Sequence, residues 1–168
     1  MRTGLIRLIA MASSAPSVHG LLEASCFCGK VHVRVPEAAV PQSVSICHCP
    51  TCRKLTGAPS IMNVMFAASD VEVDGALVPQ QTSKLVTRQR CEACFSPVSA
   101  SLGKGRVVLP ASLFSAPHPK SWAPQHHLYY DRRVIDVHDE LPKYRTHFGS
   151  TLWAGEAAGV VGDAPSES

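Results

Sequence analysis

Charge is scarce in this chain of 168 residues: only 17% are Asp, Glu, Lys or Arg, and the net charge of +3 is spread thinly rather than gathered into a basic block. Nucleic-acid binding needs a concentrated field of Lys and Arg, so no such partner is expected. Long hydrophobic runs are missing as well. The apolar run near the start, Leu5 to Met11, is broken by Arg7 and is too short and too charged for a membrane span or a secretory core. No membrane partner is expected, and a cytoplasmic location follows. Organelle targeting by residues 1–20 stays open, because that segment holds Arg2, Arg7 and several serines but no acid. Long periodic stretches are rare too: 11 glycines and 13 prolines interrupt short apolar runs, which favours strands and loops over long helices. What the chain does have is an apolar share of 45%, enough to bury one core in a length that leaves no room for a second full domain.

Residues 1–20 read as a flexible extension, with Met11 as an alternative start, 21–148 as one ordered domain, and 149–168, rich in Gly, Ala and Ser, as a disordered tail. Within the domain, Val31-His32-Val33-Arg34-Val35 alternates at period two and is stopped by Pro36, as a half-buried strand should be. Strand character recurs at Ser60 to Phe66, Val71 to Val73, Lys84 to Gln89, Arg106 to Leu109, His127 to Tyr130 and Val134 to Val137. One helical turn is expected from Pro50 to about Leu55, with Gly57 at the position of a left-handed cap. Prolines at 110, 117, 119 and 124 predict a long, stiff surface loop between them. There is no internal repeat.

Seven cysteines, an odd number, would leave one thiol over in a disulfide framework. Every one lies in a tight group: Cys26 with Cys28, Cys47 with Cys49 and Cys52, and Cys91 with Cys94. Thiolates one or two residues apart reach a single tetrahedral ion with little backbone strain, and a thiolate-rich set selects zinc over the alternatives, with iron as the minority option. Two ions are expected, but spacing leaves two partitions open. Cys49, Cys52, Cys91 and Cys94 would make a zinc ribbon and leave Cys26, Cys28 and Cys47. Keeping each group whole gives Cys26, Cys28, Cys91 and Cys94 as a closed site, and Cys47, Cys49 and Cys52 as a site with three protein ligands.

The run from Ser25-Cys26-Phe27-Cys28-Gly29-Lys30-Val31, through Cys47-His48-Cys49-Pro50-Thr51-Cys52-Arg53-Lys54-Leu55-Thr56-Gly57-Ala58, to Cys91-Glu92-Ala93-Cys94 resembles the glutathione-dependent formaldehyde-activating (GFA), or centromere-protein-V-like, family. The likeness extends from about Leu22 to Tyr144 and closes on Asp139-Glu140-Leu141-Pro142-Lys143-Tyr144. It implies the whole-group partition, with a structural zinc on the outer pairs and a catalytic zinc on the central triplet. It also implies a mainly β fold, a single compact zinc-bound domain of the Mss4-like type with long loops and short helical turns. Four departures stand out: Arg90 where an aromatic is usual, Phe95 where Gly is usual, Leu113-Phe114 where a Leu-Asp pair is common, and no tryptophan ahead of the final Leu-Pro pattern.

A zinc ion on three thiolates carries a formal charge of about −1 and is poorly suited to ionising water. It suits a fourth, exogenous thiol, held as a nucleophile for an aldehyde carbon. The expected activity is therefore that of a carbon–sulfur lyase-type enzyme, joining a glutathione-like thiol to formaldehyde or another small aldehyde, or cleaving the adduct. A non-catalytic zinc scaffold or protein-interaction module is the alternative. Arg53 and Lys54 are candidates for holding the thiol's carboxylates, and Thr56 and Gly57 for shaping the pocket floor, against surface cations and a helix end as the plainer readings. His48, between two ligands, is read as a donor behind the metal shell rather than a fourth ligand. His118, His126 and His127 could serve a proton shuttle from the proline-rich loop, while Trp122, His126, Tyr129 and Tyr130 read more simply as packing that loop onto the sheet, and Asp139 as a turn residue. The sequence sets no oligomeric state.

Overall fold

The computed structural model describes residues 20–155. The extension expected over 1–20 lies outside the described residues except for Gly20, as does the part of the expected tail from 156 onward. The alternation at Val31, Val33 and Val35 does what period two requires. These valines are fully buried, while Arg34 on the opposite face reaches Glu23 at 3.2 Å and Glu72 at 3.3 Å on the neighbouring strands. Those neighbours are β1 (Leu21–Ser25) and β5 (Glu72–Asp74), which flank β2 (His32–Pro36) in an antiparallel sheet of three strands. Gly75 ends β5 at φ +117°, and a Cβ there would lie 2.4 Å from the Lys30 carbonyl oxygen, so only glycine lets that turn close against the segment after Cys28.

The second sheet has seven strands. It adds β3 (Ser43–Cys47), β4 (Ile61–Ala67), β6 (Leu77–Ser83), β7 (Val86–Cys91), β8 (Pro97–Ser101), β9 (Arg106–Pro110) and β10 (His126–Leu128) in the order β10-β3-β4-β9-β8-β7-β6. All neighbours are antiparallel except β10 and β3, which run parallel with His127 opposite Ile46. The core lies where Val33 and Val35 meet Val44, Val64, Phe66, Val98 and Leu109. The result is the mainly β domain with short helical turns that the resemblance implies. Among the described residues no helix is long and apolar enough to cross a membrane.

Three expectations change. The segment from Pro110 to Pro124 is not a surface loop: it forms 3-10 turns at Ala111–Leu113 and Lys120–Trp122, and it delivers Phe114 and Trp122 into the core. The indole packs edge-on against Phe114 at 4.9 Å and lies 5.7 Å from Phe66, so aromatic burial decides the path between the prolines. Val134 to Val137 is not a strand. Val134 and Ile135 are exposed, and the Val137 backbone is satisfied by the Tyr130 hydroxyl, which accepts from its N–H at 2.8 Å and donates to its carbonyl at 3.2 Å. Residues 149–155, assigned to the tail from composition, are tied back to the domain although most of them are exposed. Gly149, at φ +80°, helps the chain turn back; Leu152 pairs with Tyr144, the Trp153 N–H donates to the Lys143 carbonyl at 2.8 Å, and the Trp153 ring stacks 5.1 Å from Tyr130.

Candidate metal centre

The fold gathers the seven cysteines into two groups, Cys26 with Cys28, Cys91 and Cys94, and Cys47 with Cys49 and Cys52, with the sulfurs of each group all within 4.8 Å of one another. The zinc-ribbon partition is not formed. In the four-cysteine group, Cys26 Sγ lies 3.5 Å from Cys28 Sγ, and Cys28 Sγ lies 3.7 Å from Cys91 Sγ. Four sulfurs at ~2.3 Å from a tetrahedral ion are separated by about 3.8 Å, so this set fits zinc. Backbone and hydroxyl donors already face the sulfurs. The Val31 N–H donates to Cys26 Sγ at 3.3 Å, and Ser96, through its hydroxyl and then its amide, holds the Cys94 thiol down at about 5. Cys91 ends β7 and Cys26 follows β1, so this site ties the two sheets together.

The triplet is built by a strand running into a helix. Cys47 ends β3, and Cys49 is the N-cap of α1 (Pro50–Thr56), its sulfur accepting from the Cys52 N–H at 3.3 Å; Cys52 is buried in the first turn. Pro50 starts the helix without a wasted amide, and Gly57 ends it at φ +71°, as the spacing predicts. The three thiols divide their protons unequally. Hydrogen bonds from Cys47 and Cys52 outweigh burial and, with the Cys52 amide and the charge of Arg88, hold Cys49 at about 3; the same contacts and burial push Cys47 well up. Cys49 is the thiolate of the set, and the donor chemistry and spacing again suit zinc.

His48 turns away from the triplet, as an extended segment dictates. Its ring is buried, and its Nε2 meets His127 Nδ1 at 2.9 Å; His127 Nε2 meets Asp139 Oδ2 at 2.9 Å, and Lys143 Nζ donates to Asp139 Oδ1 at 2.6 Å. The carboxylate can only accept, so His127 presents N–H at Nε2 to it. Burial first, then His127 and the cations Arg133 and Arg53, push His48 down to about 4, so it is neutral at pH 7. Asp139 is thus the end of a buried polar chain anchored behind the metal loop, not merely a turn residue. His118 and His126 lie elsewhere: His118 Nε2 is 3.3 Å from the Phe114 carbonyl oxygen, and His126 packs against Tyr144 and Phe148.

Of the residues expected to bind substrate, Arg53 is half-buried and its Nε–H donates to the His48 carbonyl at 3.3 Å, while Lys54 and Gly57 are exposed. The Thr56 hydroxyl donates to the Cys52 carbonyl at 2.8 Å and also lines a narrow cleft beside the triplet, of about 30 Å³. That cleft is bounded by Cys52, Asn63, Arg88, Arg90 and Ser99, among others, and Arg88 Nη2 stands 3.6 Å from Cys52 Sγ. Motif reasoning missed Arg88; the one available signal was the polar, alternating run Thr87-Arg88-Gln89-Arg90 on an expected strand. Tyr129, read from sequence as packing, lies in the field of the triplet: burial first, then Cys49, Cys47 and Cys52, raise its phenol.

Among curated proteins none matches. A crystal structure of a Rhodobacter sphaeroides protein is similar at 18% identity and a TM-score of 0.48, covering 59% of this chain and 93% of that one. The family model described as glutathione-dependent formaldehyde-activating enzyme matches residues 21–132, which span both cysteine groups. With that match over most of its described length, the chain belongs to the glutathione-dependent formaldehyde-activating family.

Proposed function

We propose that the chain is a zinc-dependent carbon–sulfur lyase-type enzyme that adds a glutathione-like thiol to formaldehyde or another small aldehyde and, in reverse, cleaves the adduct. The observation that carries this reading is the triplet. Three thiols lie within 4.8 Å, and among the described residues no fourth Cys, His, Asp or Glu ligand atom joins them. A closed zinc module would complete the set with a side chain, and the nearest sequence candidate, His48, is committed to His127. Zinc held by Cys47, Cys49 and Cys52 would supply a coordination position at which an incoming thiol loses its proton. The other zinc, on Cys26, Cys28, Cys91 and Cys94, would be structural.

In the addition, the sulfur–carbon bond forms as the carbonyl π bond breaks, and the proton lost by the thiol ends on the new hydroxyl, so no oxidant or reductant is needed. Tyr129, whose phenol is raised by burial and then by the three cysteines, is the candidate donor to the developing alkoxide. Arg53, Thr56 and Gly57 shape the end of α1 around the site, with Lys54 on its outer face. The test is Cys49→Ser. Zinc content should fall from two ions per chain to one, and the calorimetric heat of glutathione binding should vanish; two ions with unchanged binding would overturn the proposal.

A further inference from the structure

The cleft beside the triplet is lined by two guanidinium groups, of which Arg88 shares its charge with the cysteines of the triplet. Arg88 and Arg90 alternate on β7 and both line the cleft, on the side covered by Leu55 and Thr56 of α1. Among the described residues no carboxylate pairs with either; the ion pairs engage Arg34, Arg133, Lys143, Arg145 and His127 instead. Arg88 Nε is buried and has no hydrogen-bond partner among the described residues, and the remaining contacts of the two groups are Arg88 Nη2 on Cys52 Sγ and Arg90 Nη2 donating to the Leu55 carbonyl at 3.3 Å. The neighbouring polar groups Asn63, Gln89 and Ser99 are neutral.

A buried donor without an acceptor is destabilising, the more so when charged, unless a ligand answers it. A guanidinium fork is matched by a carboxylate, which it binds through two parallel hydrogen bonds. Formaldehyde has no group to place on such a fork, whereas a thiol can carry one.

We infer that Arg88 and Arg90 form a carboxylate-binding subsite beside the triplet and select a thiol that carries a carboxylate close to its sulfur. The 3.6 Å between Arg88 Nη2 and Cys52 Sγ sets how close: a thiol beside Cys52 reaches the fork through only a few bonds. This inference rests on the thiol-binding reading above. It moves carboxylate recognition from the metal motif, where Arg53 is tied to a backbone carbonyl, to a strand distant in sequence.

The test uses the full-length protein with cobalt in place of zinc, so that thiol binding appears as a change in the thiolate-to-cobalt charge-transfer band, and the zinc-loaded protein labelled with nitrogen-15 to follow the Arg88 Nε–H signal. Mercaptoacetate should bind about tenfold or more tightly than neutral 2-mercaptoethanol, the range of one charge-assisted hydrogen-bond pair. Arg88→Gln and Arg90→Gln should each weaken mercaptoacetate binding more than 2-mercaptoethanol binding and so erode that preference, and Arg88→Lys should retain part of it. (Methylthio)acetate, which has the carboxylate without a free thiol, should move the Arg88 Nε signal. If mercaptoacetate and 2-mercaptoethanol change the cobalt band equally in wild type and variants, and the Arg88 signal stays still, the subsite is refuted and thiol binding stands. If the Arg88 signal moves but no thiol changes the band, the subsite stands and the thiol reading falls. Should Arg88→Gln not fold, the Arg90→Gln titration and the wild-type Arg88 signal decide the matter.

Discussion

Replacing Asp139 by Asn tests whether the polar chain behind the metal loop positions the triplet. The substitution keeps the shape and removes the charge that faces His127 Nε2 at 2.9 Å and Lys143 Nζ at 2.6 Å. Burial alone would raise this carboxyl; the hydrogen bonds from Lys143 and His127 outweigh it and hold the group at about 2, against an ordinary value of 3.8. At 1.36 kcal/mol per pKa unit that difference is roughly 2 kcal/mol. Because the side chain is 30% exposed, screening reduces the expected loss to about 1 kcal/mol. A folded-state pKa below the unfolded one means the contribution is complete above about pH 4 and fades as the pH falls toward 2. The stability gap between wild type and Asp139→Asn, measured by urea denaturation, should therefore be constant from pH 7 to 5 and shrink at pH 3. The second readout is the triplet's zinc affinity, by competition with a chromophoric chelator. Groups that orient a metal shell typically contribute 10- to 100-fold, and a loss at the low end, about tenfold, is expected here because Asp139 acts through two histidines. A gap that stays open at pH 3, or a full stability loss with unchanged zinc affinity, would refute the positioning role and leave only local packing.

Cys91→Ser should remove the four-thiolate zinc and lower the thermal midpoint steeply by circular dichroism, whereas Cys49→Ser should lose one ion and keep the fold. Trp122→Ala should destabilise by about 3–5 kcal/mol in chemical denaturation, because the indole fills the space between Phe66 and Phe114 and is 2% exposed. Phe95 sits at φ +58° with its ring 61% exposed, so Phe95→Gly should stabilise the protein by about 1 kcal/mol; a fall in the urea midpoint would contradict this.

The two cysteine groups and much of the sheet were legible in the sequence because their signals are local. Cysteine spacing, the valine alternation of β2 and the Pro50 to Gly57 turn each sit within a few residues, and each appears where it was read. Strand β6 was missed because Leu77-Val78-Pro79-Gln80-Gln81-Thr82-Ser83 is polar and holds a proline, which an edge strand tolerates and a central one does not. Which cysteines share a site was not written in their spacing; the resemblance supplied it. The His48, His127 and Asp139 chain and the Arg88 contact with Cys52 are tertiary. They join residues 79, 12 and 36 positions apart through strand pairing that no local pattern reports.

The two cysteine groups differ in how much chain they enclose. Cys28 and Cys91 are 63 positions apart, so an ion gripping both acts as a covalent staple would, denying the unfolded chain a large share of its freedom; the loop-closure relation puts this at roughly 4 kcal/mol. Cys49 and Cys52 are three apart, in a turn that the helix cap already shapes. An ion there would close almost no additional chain, so losing it should leave the architecture in place.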